Sequence, residues 1–255
     1  MTTSVLEVDH IATGYSGSPV VRDAHLSVGS GEVVVLLGAN GAGKTTTLRA
    51  ISGLLRLQKG AIRLNGRDLA QQSATARARS GIAHVPEGRG VIHSLTVGEH
   101  FSLRHRGGTL EPEIAYEYFP ALGDLRNRRA GLLSGGEQQM LSLGRALATR
   151  PTLLCIDELS LGLAPIVVEN LLPVIRNFSD SQEGAVLLVE QHVHLALEIA
   201  DRGYLMANGV SRGSFSAEEL RSDQGLIQAS YLGDRVEDTV IQLESPLAIN
   251  GKEAE

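Results

Sequence analysis

Apolar positions recur along the chain with two different periods. Residues 5 to 36 alternate in "VLEVDHI" and "AHLSV" and are interrupted by the turn residues of "GYSGSP" and "GSGE", which predicts antiparallel strands leading into a buried strand, "EVVVLLG". From Lys44 to Leu55 the period lengthens. Leu48, Ile51 and Leu55 recur at helical spacing, and "AIRLNGRDL" at 61 to 69 returns to an exposed strand and turn. Residues 88 to 150 lack long β-runs and carry helical stretches around 112 to 122 and 135 to 149, as a helical insertion would. A buried strand, "TLLCIDE", a helix over about 165 to 178 and another buried strand, "AVLLVEQ", follow. Buried strands alternating with helices predict a parallel α/β sheet. Residues 234 to 255 show no clear period beyond a short "VIQL" and are expected to form a loosely attached tail.

One strand-to-helix junction carries chemistry. In "VVVLLGANGAGKTTTL" the stretch Gly38, Ala39, Asn40, Gly41, Ala42, Gly43, Lys44, Thr45, Thr46 follows a buried strand and opens a helix, the context that a P-loop requires. Gly41 and Gly43 let backbone N–H groups approach phosphate oxygens, the helix N-terminus adds positive dipole, and Lys44 is a point charge for the β and γ phosphates. Thr45 is placed to ligate Mg2+. The strand "LLCIDE" ends in two acids, at the sheet edge where ligands of parallel α/β folds sit. Asp157 would hold Mg2+ through water, and Glu158 would act as general base on the attacking water. The fold expected is a P-loop NTPase core with an antiparallel β subdomain and an inserted helical subdomain.

Composition changes this picture little. The chain has 255 residues, 42% of them hydrophobic, enough to bury a core. Its longest apolar runs fall far below the roughly 18 to 20 residues that span a bilayer, and no basic and apolar leader opens it. A cytoplasmic protein docked on a membrane is expected. The net charge of -6 argues against nucleic acid as a partner. The lone Cys155, in an apolar run, reads as a buried structural thiol.

A second Ser-Gly-Gly stretch raises a question of stoichiometry. Ser134, Gly135, Gly136 and Glu137 open a helix whose Met140, Leu143 and Leu147 mark a buried face, and they lie about 90 residues from a P-loop that already suffices for one nucleotide. Such a cradle makes sense if it covers the nucleotide of another subunit. P-loop, "LSGGE", "IDE" and a following strand, in this order, resemble an ATP-binding cassette (ABC) ATPase over residues 5 to 233. The resemblance implies a RecA-like core, a helical subdomain over about 88 to 150 and a head-to-tail dimer around two ATPs. It also implies that Tyr15 stacks on adenine, although a lone aromatic beside Gly14 reads equally as a turn residue.

Narrower features resemble the smaller ATPase subunit of bacterial branched-chain amino acid importers: "HVPEGRGV", "LSGGEQQML", "SLGLAP", "VEQ" and "SYLG". Importers for urea and short amides share much of this set, and a soluble ABC ATPase of DNA repair or translation is the alternative outside transport. The resemblance implies two permease subunits, a solute-binding protein acting indirectly, a second ABC subunit, identical or sister, and a place on the cytoplasmic face of the inner membrane. It puts Glu87 where most such ATPases have the Gln that links Mg2+ and water to the permease. It puts Gln191 where most have a His contacting the γ phosphate, with His192 one residue later. Successive strand residues point to opposite faces, so one of the pair is expected in the site, and Gln191 is favoured. Leu159 departs from the usual Pro after the catalytic Glu, and Ala164 stands where many have an Asp that crosses the dimer interface.

Overall fold

The computed structural model describes residues 4–103, 110–182, 184–223 and 225–227. The stretch "SYLG" and the tail from 234 to 255 lie outside the described residues. Strands β1 (Ser4–Tyr15) and β2 (Ser18–Gly29) form an antiparallel hairpin, followed by β3 (Val33–Leu37), α1 (Lys44–Ile51), β4 (Leu57–Leu64), β5 (Arg67–Asp68), α2 (Ala74–Arg79) and β6 (Ile82–Val85). Among the described residues four α-helices come next, α3 (Val97–Ser102), α4 (Pro112–Tyr118), α5 (Ala121–Asp124) and α6 (Gly135–Leu147), with a 3-10 turn at Ala130–Leu132 before the last. The chain then runs through β7 (Leu153–Asp157), α7 (Pro165–Gln182), β8 (Ala185–Glu190), α8 (Val193–Ile199), β9 (Arg202–Ala207), β10 (Val210–Ser216) and α9 (Ala217–Ser222).

The strands lie in the order β5-β4-β1-β2-β10-β9-β3-β8-β7-β6. The half containing β3, β8, β7 and β6 is parallel, as is the pairing of β3 with β9. The half containing β1, β2, β4 and β5 is antiparallel. A parallel sheet is covered on both faces, and the alternation along β3 shows it. Val33, Val35 and Leu37 enter one core with residues of α6, α7 and α8, whereas Val34 and Leu36 enter a second core with α1 and the antiparallel strands.

The turns explain how the antiparallel half folds. The β1–β2, β4–β5 and β9–β10 hairpins close on the residue pairs Ser16-Gly17, Asn65-Gly66 and Asn208-Gly209, each with positive φ at both positions. That geometry matches the twist of the flanking strands. Helix α1 is shorter than its spacing predicts and stops at Ile51, leaving the half-buried Leu55 outside it. Gly53, with a left-handed φ of 75°, turns the chain out of the helix, its N–H donating to the Ala50 carbonyl at 3.1 Å and the Leu54 N–H to the Arg49 carbonyl at 2.8 Å. Buried Arg77 of α2 donates to the carbonyls of Ala50 and Ile51 at 2.7 and 2.9 Å, satisfying acceptors that every helix end leaves open. Helix α7, by contrast, continues to Gln182, beyond its expected end.

Candidate active site

The loop between β3 and α1 lies beyond the carboxyl ends of β3, β7 and β8. It forms one wall of a cavity of about 390 Å³, lined by Asn40, Gly41, Gly43, Lys44, Thr45 and Thr46 together with Val20, Glu87, Glu158, Leu161 and Gln191. A side chain at Gly41, whose φ is +80°, would meet nothing within 4 Å, so its backbone is open to this space. Gly38 has a different reason for being glycine: a Cβ there would lie 2.0 Å from the carbonyl oxygen of Met206 on β9. Ala42 is turned away, its carbonyl accepting from the Gly209 N–H at 2.9 Å.

Lys44 is buried and donates to the carbonyls of Gly38 and Ala39 at 2.8 and 3.0 Å. Burial lowers its pKa, while Glu158, Asp157 and Glu190 oppose that and favour the charged form. Behind the loop, the Thr45 hydroxyl donates to Asp157 Oδ1 at 3.0 Å. Burial, with smaller contributions from Glu158 and Glu87, pushes the Asp157 carboxyl up to about 6. Crowded oxygen donors of this kind suit a hard divalent cation such as Mg2+. Glu158 has a left-handed φ of 51°, and its carboxylate accepts from Gln191 Nε2 at 2.6 Å.

Gln191 and His192 fall just past β8, in the turn that leads into α8, where His192 is the N-cap residue, and their side chains go to different places. Gln191 lines the cavity. His192 is not among the lining residues, and its Nδ1 lies 2.8 Å from Ser160 Oγ, which donates in turn to buried Glu190. Tyr15 stands at the hairpin tip, 42% exposed, with its hydroxyl accepting from Arg49 at 2.8 Å; it is not among the lining residues either. Val20 and Leu161 line the cavity without having been signalled by the sequence. Their role depends on strands and loops distant along the chain meeting at one spot, and no local period encodes that.

Ser134, Gly136 and Glu137 open onto a separate groove of about 320 Å³ between α6 and α7. Within the chain they do not face the P-loop cavity. Locally the stretch builds the start of α6: Ser134 Oγ accepts from the Glu137 N–H, and the Glu137 carboxylate accepts from the Ser134 N–H at 2.6 Å. This capping box recurs at Thr96 with Glu99 and at Ser216 with Glu219. The glycines add close packing, since a Cβ on Gly136 would fall 2.7 Å from Val167.

The family model for the ABC transporter matches residues 21–160, more than half of the chain. The chain belongs to the ABC transporter family. This ABC protein is 41% identical over 214 residues to the high-affinity branched-chain amino acid transport ATP-binding protein BraG of Pseudomonas aeruginosa, covering 80% of this chain and 90% of the relative. It is 31% identical over 239 residues to the lipopolysaccharide export system ATP-binding protein LptB of Haemophilus influenzae, covering 91% and 98%. A solved ATP-binding cassette of an ABC transporter shares its fold, with a TM-score of 0.78 at 24% identity, over 89% of this chain and 98% of the other. The ABC protein is therefore an ATPase, the ATP-binding subunit of a transporter, with a P-loop NTPase fold. None of its described helices is long and apolar enough to cross a membrane. Such a subunit implies a membrane permease as partner.

Proposed function

We propose that this ABC subunit powers uptake of amino acids, branched-chain ones in particular, from the cytoplasmic face of the inner membrane. The observation that carries the reading is the 41% identity to BraG, supported by Gln191 and Glu87 meeting Glu158 at one cavity. Residues 5–233 form the ATP-binding domain, with 88–150 as its helical part and 234–255 as a tail. Two permease subunits, a second ABC subunit and, indirectly, a solute-binding protein complete the assembly.

In this reading the backbone at Gly41 and Gly43 and the Lys44 ammonium hold the β and γ phosphates. Thr45, Asp157 and Glu87 hold Mg2+, which when bound neutralises phosphate charge. Glu158 accepts the proton of the attacking water, and the Gln191 amide orients the Glu158 carboxylate and reaches towards the γ phosphate. Tyr15 stacks on adenine. Ser134, Gly135 and Gly136 cover the nucleotide of the second subunit, which accounts for their facing away from the P-loop of their own chain. ATP then joins two subunits, and its hydrolysis releases them. The differential affinity of nucleotide for the closed pair is what lets it drive a permease between two states.

The 31% identity to LptB favours a second reading, an export-system ATPase. Affinity purification of the tagged protein from gently solubilised native membranes, with mass spectrometry of what remains bound, separates the two. Two multi-span permeases, a sister ABC subunit and a linked amino acid-binding protein support import. Permeases accompanied by envelope lipid-export components would replace import with export, and recovery with ribosomes or nucleic acid would overturn both.

A further inference from the structure

Away from the nucleotide cavity, two histidines and a carboxylate converge on the antiparallel half of the sheet. The β1–β2 register runs from Val8 opposite Leu26 to Ile11 opposite Ala24, three steps on β1 against two on β2. The extra residue makes a bulge, and His10 within it has a φ of 45°. A bulge re-aims the side chain it carries. Here it brings His10 beside Asp23 and His25, which are two residues apart on β2 and so share a face. His10 Nδ1 lies 2.8 Å from Asp23 Oδ1, and the His10 and His25 rings are stacked with centroids 5.1 Å apart.

We propose that His10, Asp23 and His25 form a binding site for a divalent transition-metal ion of the zinc class, distinct from the Mg2+ position of the nucleotide site. One ligand atom from each residue lies within 4.8 Å of the others. Tetrahedral zinc at about 2.0 to 2.1 Å from each ligand needs donors roughly 3.4 Å apart, so the widest pairs must close by up to about 1.4 Å, while His10 Nδ1 and Asp23 Oδ1, 2.8 Å apart, must open by about 0.6 Å. The His10 side chain is 58% exposed, and only its stacking on His25 and its contact with Asp23 have to adjust for this.

Two further features favour an ion here over a plain surface ion pair. His25 Nδ1 is shielded from solvent and has no hydrogen-bond partner, so one imidazole nitrogen is already desolvated and unsatisfied. The backbone that presents His25 is fixed on both sides of the residue, because Ser211 Oγ accepts from the His25 N–H at 2.7 Å and donates to its carbonyl at 2.8 Å. The Asp23 N–H, likewise, donates to the Gly209 carbonyl at 3.1 Å. Two imidazoles and one carboxylate select zinc, nickel or copper over magnesium or calcium, and three protein ligands leave one position for water. An ion bound there would staple β1 to β2 below the hairpin that carries Tyr15.

The test uses the full chain without a histidine tag, stripped with chelator and free of nucleotide. Zinc is titrated by calorimetry, and cobalt is followed by its visible absorption. One ion per chain is expected, unaffected by millimolar Mg2+, with His10→Ala and His25→Ala each weakening it by roughly tenfold or more and Asp23→Asn weakening it less. Thermal melts without metal check that each variant is folded. ATP turnover in Mg2+ should be unchanged in His10→Ala, which sets this site apart from the nucleotide site. No zinc uptake, or uptake that survives both histidine substitutions in folded protein, would overturn the proposal.

Discussion

At the scale of single residues, two side chains give separable expectations. Glu158 already sits in left-handed backbone, and glutamine is nearly isosteric with it, so Glu158→Gln keeps the site geometry and removes only the proton acceptor. Steady-state phosphate release should fall by about 10²- to 10⁴-fold, while ATP binding measured by fluorescent-analogue competition is retained. Turnover within twofold of the parent would remove Glu158 from the role of base. His84 concerns stability instead. Its Nδ1 is 2.9 Å from Ser52 Oγ, its Nε2 is buried without a partner, and burial with a nearby Arg49 lowers it from 6.5 to about 4. The folded protein therefore holds His84 neutral while the unfolded chain takes up a proton near 6.5. Stability present above that pH is lost as pH falls towards 4, by at most about 3 kcal/mol. Urea denaturation at pH 7.5 and 5.0 should show a smaller loss in His84→Gln than in the parent; equal losses would assign the acid sensitivity elsewhere.

At the scale of elements, glycines of one loop do different jobs. Gly38 is excluded from carrying a side chain by the Met206 carbonyl, 2.0 Å from where its Cβ would lie, so β9 and the loop after β3 must part if it becomes alanine. Gly41 meets nothing, and alanine there strains only its own backbone. Gly38→Ala should lower unfolding free energy by about 3 kcal/mol, against about 1 to 2 kcal/mol for Gly41→Ala. Chemical denaturation without nucleotide measures both, and an equal cost would mean that the loop relaxes away from β9. The Ser-Gly-Gly-Glu stretch has a similar division of labour. Its serine and glutamate close a capping box of the kind found at two other helices, so part of a motif that reads as a phosphate cradle is ordinary helix initiation.

At the scale of the whole molecule, the P-loop cavity and the Ser134 groove are distinct and have no lining residue in common. In the proposed reading the second serves the nucleotide of a partner subunit. Ser134→Arg places a bulky cation at the mouth of the groove, away from the P-loop. Turnover should be lost while the isolated chain binds ATP with affinity within about threefold, less than 1 kcal/mol. Sedimentation of Glu158→Gln with ATP should show dimers that the added Ser134→Arg abolishes. A doubly substituted protein that still dimerised would separate the signature from subunit closure.

The P-loop, the two acids at the end of β7 and the alternation of buried strands with helices were legible in the sequence because each rests on local order: a glycine spacing, an apolar run, a period. The same order distinguished the antiparallel half from the parallel half. It could not show that α1 ends under Arg77, that Val20 and Leu161 reach the nucleotide cavity, or that a bulge at His10 turns it towards Asp23 and His25. Strand alternation was the expected reason for Gln191 and His192 to diverge, but both lie past Glu190, and the turn between β8 and α8 decided that Gln191 faces the cavity and His192 faces Ser160. Local sequence sets backbone period and chemical type, whereas these contacts join segments far apart along the chain, and their geometry exists only once the sheet and its covering helices have closed on one another.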